Sequence, residues 1–189
     1  MDDDMTAMVL EDARDKMAKA LEHVKTDFGS VRTGRATPAL VEGLMVDYYG
    51  TPTPVSQMAS VSVPEPRLLV IKPFDAQMIK AIEQTILQSP LGLTPQNDGK
   101  IIRINVPPLS TERRKEMVQR IGKMKEEAKV AIRNVRRDAN KHAEQGEKDK
   151  LMTEDEAKAC KEEIQNLTKK YEGDVDAAAD SKEKDIMQN

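Results

Sequence analysis

The 189-residue sequence has no tryptophan, a single cysteine, and only three tyrosines and two phenylalanines. So few aromatic side chains exclude a thick globular core. Long helices sharing a narrow apolar seam suit this composition better. Cys160 has no second cysteine to pair with, which excludes an intrachain disulfide. It falls at a helical seam position and is expected to be a buried structural thiol. No apolar run approaches the roughly 20 residues of a membrane span. The start, Met1-Asp2-Asp3-Asp4, is acidic where a signal peptide would be basic, so a soluble cytoplasmic protein with no membrane contact is expected. No glycine-rich phosphate loop follows a strand. His23 and His142 lie far apart in sequence with no second soft ligand at metal spacing, and the abundant carboxylates are spread along helix faces. No catalytic constellation, metal site or cofactor is therefore expected.

Charge is plentiful and unevenly placed. The net charge of −3 conceals −4 over residues 1–31, +1 over 32–109, +6 over 110–143 and −6 over 144–189. A Debye length of about 8 Å at physiological salt isolates such patches from one another. The basic stretch peaks at Arg133-Asn134-Val135-Arg136-Arg137. At about 100° per residue, Lys129, Arg133, Arg136 and Arg137 fall in one broad helical sector. Met124, Ala128, Ala131, Val135 and Ala139 centre roughly 140° away. One face can be buried while the other carries guanidinium groups, whose rigid forks match phosphate. This helix has no aromatic residue on which a base could stack, so the expected ligand is the phosphate backbone of structured RNA, bound in a salt-sensitive way.

Three segments carry helical heptad spacing. The first runs from about Met5 through Met17, Ala20, Leu21, Val24, Phe28 and Val31. The second follows Pro107-Pro108, caps at Ser110 or Thr111, and has the seam Met117, Ile121, Met124, Ala128, Ala131, Val135, Ala139, His142. Thr153-Glu154-Asp155-Glu156 reads as a capping box opening the third. Its seam is Ala157, Cys160, Ile164, Leu167, Tyr171, Val175, Ala178 and Ile186, with Gly173 as a weak point. A tight turn is expected over Glu144–Lys150, which includes Gly146. Between the first two helices, residues 32–109 hold all ten prolines and five of the nine glycines. Short strands are predicted over 44–48, 59–63, 67–71 and 101–106. A helix capped by Asp75 should show the stripe Met78, Ile79, Ile82, Ile86 and Leu87. The expected fold is α+β: an antiparallel three-helix bundle formed by 1–33 and 108–189, with a small β/α/β domain inserted at 34–107. Hinges are expected at about 33–35 and 106–109.

Arg32 and Arg35 bracket Thr33-Gly34 at the end of the first helix. Arg113 and Arg114, with Glu112 and Glu116 nearby, read as an ordinary solvated helix face. The runs Val31-Arg-Thr-Gly-Arg-Ala36, Asp47-Tyr-Tyr-Gly-Thr-Pro-Thr-Pro54, Pro107-Pro-Leu-Ser-Thr-Glu-Arg-Arg-Lys115 and Val130-Ala-Ile-Arg-Asn-Val-Arg-Arg-Asp-Ala-Asn140 resemble the bacterial ribosome recycling factor family over nearly the whole chain. The resemblance implies an L-shaped molecule and a non-catalytic translation factor. Such a factor acts with elongation factor G and GTP to take apart the post-termination ribosome complex. It further implies a monomer whose bundle lies on large-subunit ribosomal RNA through Arg32, Arg35, Arg133, Arg136 and Arg137, to which the helical sector adds Lys129. Gly34, Arg35, Pro107 and Pro108 match the family's hinge. The acidic start and Tyr171-Glu172-Gly173-Asp174 depart from many relatives. A different class, a coiled-coil chaperone or adaptor that binds proteins rather than RNA, would account for the charged helices alone.

Overall fold

The computed structural model describes residues 3–188, with side chains from Met5 onward, so the acidic start Met1-Asp2-Asp3-Asp4 lies outside the described side chains. In chain order the elements are α1 (Asp3–Gly29), α2 (Ala39–Glu42), β1 (Met45–Tyr48), β2 (Thr51–Pro54), α3 (Val55–Met58), β3 (Ala59–Glu65) and β4 (Leu68–Pro73). A 3-10 turn (Ala76–Met78) leads into α4 (Ile79–Gln88), followed by β5 (Pro95–Asn97), β6 (Ile102–Asn105), α5 (Thr111–Lys148) and α6 (Glu154–Gln188). The architecture is α+β, a three-helix bundle with a small antiparallel sheet region between its first two helices. The chain divides into two compact units, Met1–Lys25 with Arg120–Lys182, and Thr26–Gln119 with Glu183–Asn189. Relative to a division at 34 and 107, the helix ends at 26–29, 111–119 and 183–188 group with the sheet unit.

In the helical unit, Val9, Ala13, Ala139, Ala143, Met152, Ala157, Cys160 and Ile164 form one buried cluster. Its many small side chains permit close helix approach. Ile132 and Ile164 are fully buried, each worth about 1.5–3 kcal/mol of apolar transfer. Residues four apart on α5, Lys129 and Arg133, pair with Asp176 and Glu172, four apart in the opposite direction on α6. Eleven residues further along α5, Glu144 meets Lys161, eleven residues back on α6. The two helices are therefore antiparallel in one unbroken register.

The seams do not keep the heptad period. On α6 the buried positions recur as Ala157, Thr168, Ala179; as Cys160, Tyr171; and as Ile164, Val175, Ile186. On α5 they recur as Ile121, Ile132, Ala143 and as Ala128, Ala139. Each series steps by eleven, three turns plus about 20°, whereas seven residues make two turns less about 20°. The stripe consequently drifts the other way. Ile132 replaces the exposed Ala131, Ala143 replaces the exposed His142, Thr168 replaces Leu167, and Ala179 replaces Ala178. Thr168 tolerates burial because its hydroxyl donates to the carbonyl of Ile164 at 2.8 Å.

The turn between these helices also sits later than expected. Gly146 is buried inside α5, and Lys150 takes the left-handed conformation (φ 58°). Leu151 N–H bonds Gly146 O at 2.8 Å and Lys150 N–H bonds Glu147 O at 3.1 Å. That is a Schellman motif with lysine where glycine is usual. Thr153 and Glu156 then form the expected capping box: Thr153 N–H donates to Glu156 Oε2 at 2.7 Å, and Glu156 N–H to Thr153 Oγ1 at 3.2 Å. Ser110 Oγ accepts from Arg113 N–H at 3.3 Å and caps α5.

In the sheet unit, four antiparallel strands run in the order β3-β4-β6-β5, and β1 pairs with β2 in a separate hairpin. Leu69 and Ile71 on β4, Ile102 and Ile104 on β6, and Ile79, Ile82 and Ile86 on α4 share one core. Asp75 caps the 3-10 turn by accepting from Gln77 N–H at 3.0 Å; Leu87 lies outside the apolar stripe, exposed. Strands β2 and β5 go beyond the four strands expected, because Thr51-Pro-Thr-Pro54 and Pro95-Gln-Asn97 carry proline and lack an apolar alternation. Both are edge strands, where a missing N–H is tolerated. Tyr49 and Gly50 both have positive φ (47° and 87°), the type I′ pattern of a two-residue hairpin.

Candidate nucleic-acid interface

The basic helix segment is less free than its sequence suggests. Lys129 Nζ lies 2.8 and 3.0 Å from the two oxygens of Asp176, whose hydrogen bond raises the lysine pKa. Arg133 donates Nε–H to Glu172 Oε1 at 2.8 Å. With Nε engaged in this way, the two η nitrogens keep four donors for another acceptor. Arg136 is half-buried and Arg137 exposed. Neither has a side-chain partner among the described residues. Partly exposed ion pairs of this kind are worth roughly 1 kcal/mol or less. They fix the direction of Lys129 and Arg133 more than they hold the helices together.

In the sheet unit, Arg32 is tied down. Its η nitrogens donate to Leu91 O at 3.4 Å and Pro107 O at 3.2 Å, and its Nε is buried without an acceptor. Burial, and secondarily the charge of Arg113, lowers its pKa. Arg32 thus bridges the segment after α1 to the Pro107-Pro108 strand of chain, a positioning role the sequence did not reveal. Arg35 is exposed and its guanidinium has no partner among the described residues. Between them Gly34 is buried at φ 86°, a conformation that L side chains rarely adopt, and a Cβ there would lie 3.5 Å from Leu109 N and 3.8 Å from Pro108 Cα. Arg114 also does more than decorate a solvated face: it donates to Met187 O at 3.2 Å, satisfying a carbonyl at the end of α6. Arg113 pairs with Glu116 at 3.1 Å, as an ordinary surface contact.

A second surface was not visible in the sequence. Tyr48, Tyr49 and Phe74 are exposed, Phe74 at 72%, while Phe28 and Tyr171 are buried. Tyr49 packs edge-on against Tyr48 with ring centroids 4.8 Å apart, and its hydroxyl lies 3.4 Å from both Asp75 Oδ2 and Gln77 Oε1. Tyr48, Thr53, Gln57, Met58, Phe74, Asp75 and Met78 line a cavity of about 180 Å³ beside it. The available signal was Tyr48-Tyr49-Gly50 at the end of a short strand. Without β2 and the hairpin, nothing brought it near Phe74. Asp47 and Asp75 make this an unfavourable surface for phosphate.

Cys160 is fully buried, and burial raises its thiol pKa. His142 is exposed beside the seam rather than on it. Among the described residues no three His, Cys, Asp or Glu side chains converge as a metal site requires, and no helix is long and apolar enough to cross a membrane.

A family model described as ribosome recycling factor matches residues 24–187. The chain is 51% identical to the ribosome-recycling factor of Desulfosudis oleivorans over 184 residues, covering 97% of this chain and 100% of that one. It is 52% identical to that of Carboxydothermus hydrogenoformans over 179 residues, covering 95% and 97%. It also resembles a solution structure of the ribosome recycling factor, with a TM-score of 0.75 and 39% identity over 97% of this chain and 98% of that one. A second similar structure comes from models of the T. thermophilus ribosome recycling factor and the E. coli elongation factor G bound to the E. coli post-termination complex. Its TM-score is 0.66 and its identity 41%, over 96% of this chain and 98% of that one.

Proposed function

The chain belongs to the ribosome recycling factor family, and from that membership we propose that it takes apart the post-termination ribosome complex together with elongation factor G and GTP. It acts without catalytic residues, metal or cofactor of its own, as a monomer in the cytoplasm. The bundle, 1–33 with 108–189, lies on large-subunit ribosomal RNA, and the insert at 34–107 moves about Gly34, Arg35, Pro107 and Pro108. Arg136 and Arg137 make the principal phosphate contacts, with Arg35 as a third free guanidinium. Arg133 and Lys129 add donors already oriented by α6, and Arg32 contributes by holding the linker.

The observation that carries this reading is the contrast along α5. Lys129 and Arg133 have carboxylate partners, whereas Arg136 and Arg137 have none among the described residues. Two adjacent guanidinium groups without counter-charges on a rigid helix are suited to an external polyanion. The test is subunit splitting of post-termination complexes with elongation factor G and GTP, using Arg136→Gln with its helical content confirmed. Splitting should slow about tenfold or more, in line with the roughly 1.5–3 kcal/mol of a charge-assisted hydrogen bond. An unchanged rate would remove Arg136 as an anchor.

A further inference from the structure

The register between α5 and α6 carries the RNA reading one residue further. The flank where the helices meet is a ladder: Lys129 with Asp176, Arg133 with Glu172, and, past a gap, Glu144 with Lys161. Three residues beyond Arg133 on α5 is Arg136, and three residues before Glu172 on α6 is Lys169. At about 100° per residue both fall on the same flank as the paired rungs. This rung therefore sets cation against cation. The next sets Asn140 against Gln165, both neutral. Asn140 Oδ1 is buried with no donor, and turning the amide over would present its N–H₂ donors instead. Lys170, the neighbouring cation on α6, is occupied over the Tyr171 ring at 5.3 Å. Lys169 has no partner among the described residues.

We infer that Arg136 and Lys169 form a two-helix clamp for one RNA phosphate, the anion that completes the otherwise uncompensated rung of the α5–α6 ladder. The inference rests on the proposed RNA contact and deepens it. The buried seam of α5 and α6, with Ala139 and Ile164 in one cluster, holds the two helices in register, so the two cations meet the phosphate without a search for their relative position. Arg136 supplies the directional fork and Lys169 the point charge.

Large ribosomal subunits and four variants test this: Arg136→Gln, Lys169→Gln, the double variant, and Lys169→Glu. Each phosphate contact contributes a log–log salt slope of about 0.9, or roughly eightfold in affinity at 0.1 M salt relative to 1 M. Lys169→Gln should weaken binding by about that factor and Arg136→Gln by at least as much. The double variant should fall short of the product of the two effects, because both cations serve one phosphate. Lys169→Glu should complete the ladder by pairing with Arg136, raising the melting temperature while weakening binding more than Lys169→Gln does. A silent Lys169→Gln beside a damaging Arg136→Gln overturns the clamp and leaves the RNA reading standing. Effects that multiply fully overturn the shared phosphate. A melting temperature that stays or falls in Lys169→Glu overturns the facing register. A silent Arg136→Gln removes Arg136 as an anchor and overturns the clamp with it, while the RNA reading then rests on Arg137 and Arg35.

Discussion

Gly173 lies in the interior of α6, where glycine costs about 0.8–1.0 kcal/mol relative to alanine. It is exposed, and a Cβ built there meets nothing within 4 Å. Gly173→Ala therefore carries no packing penalty and should stabilise the protein by close to the full propensity difference, about 1 kcal/mol. For a chain of this size that is a rise of about 2–4 °C in melting temperature. Gly146 provides the internal control. It is also helical, but a Cβ there would lie 3.3 Å from Met152 Sδ and 3.4 Å from Met5 Cε. Packing should consume the gain, so Gly146→Ala should show no net stabilisation. Thermal unfolding followed by far-ultraviolet circular dichroism distinguishes the two. A fall at Gly173 would mean that α6 is not continuous there, and a rise at Gly146 equal to that at Gly173 would refute the tight junction.

Three further outcomes are expected. Glu144, held by the hydrogen bond from Lys161, and Glu156, held by the Thr153 N–H, both have lowered pKa values. Their contributions are present above the ordinary glutamate value of about 4.3 and vanish as pH falls through the lowered folded values. Glu144→Gln should flatten the decline of melting temperature between about pH 5 and 3; an unaltered decline would show that this pair carries no pH dependence. Gly34→Ala must hold an L side chain at φ 86°, at a cost of about 1–2 kcal/mol, so urea titration should register that destabilisation, and an unchanged midpoint would refute the strain. Phe74→Ala, at an exposed site, should change stability by no more than about 0.5 kcal/mol and leave large-subunit binding intact, since the carboxylates beside it disfavour phosphate; weakened binding would show that this surface also meets the RNA.

The long helices were legible because their apolar stripes are local and repeat many times. Ser110, Asp75 and the Thr153–Glu156 box were readable as caps because each cap spans only a few residues. The period was not legible because seven- and eleven-residue steps differ by about 40° per cycle, which alanine-rich segments hardly register. Ala131 and Ile132, or Ala178 and Ala179, are adjacent and both apolar; only the neighbouring helices choose between them. The basic residues were visible, but not which were already paired. Arg133–Glu172 and Arg32–Pro107 join positions 39 and 75 apart in sequence. The aromatic surface depended on a proline-bearing strand whose composition argues against a strand.

Whether unpaired arginines on α5 hold the bundle on ribosomal RNA through phosphate is tested most directly by the salt dependence of binding to isolated large subunits. For the protein as it stands, the logarithm of affinity should fall linearly with the logarithm of salt concentration. Replacing Arg136 and Arg137 together by glutamine should make that slope shallower by at least about 1, because the phosphate of Arg137 is lost outright while Lys169 still faces that of Arg136. An unchanged slope, with the variant folded, would contradict the phosphate anchor.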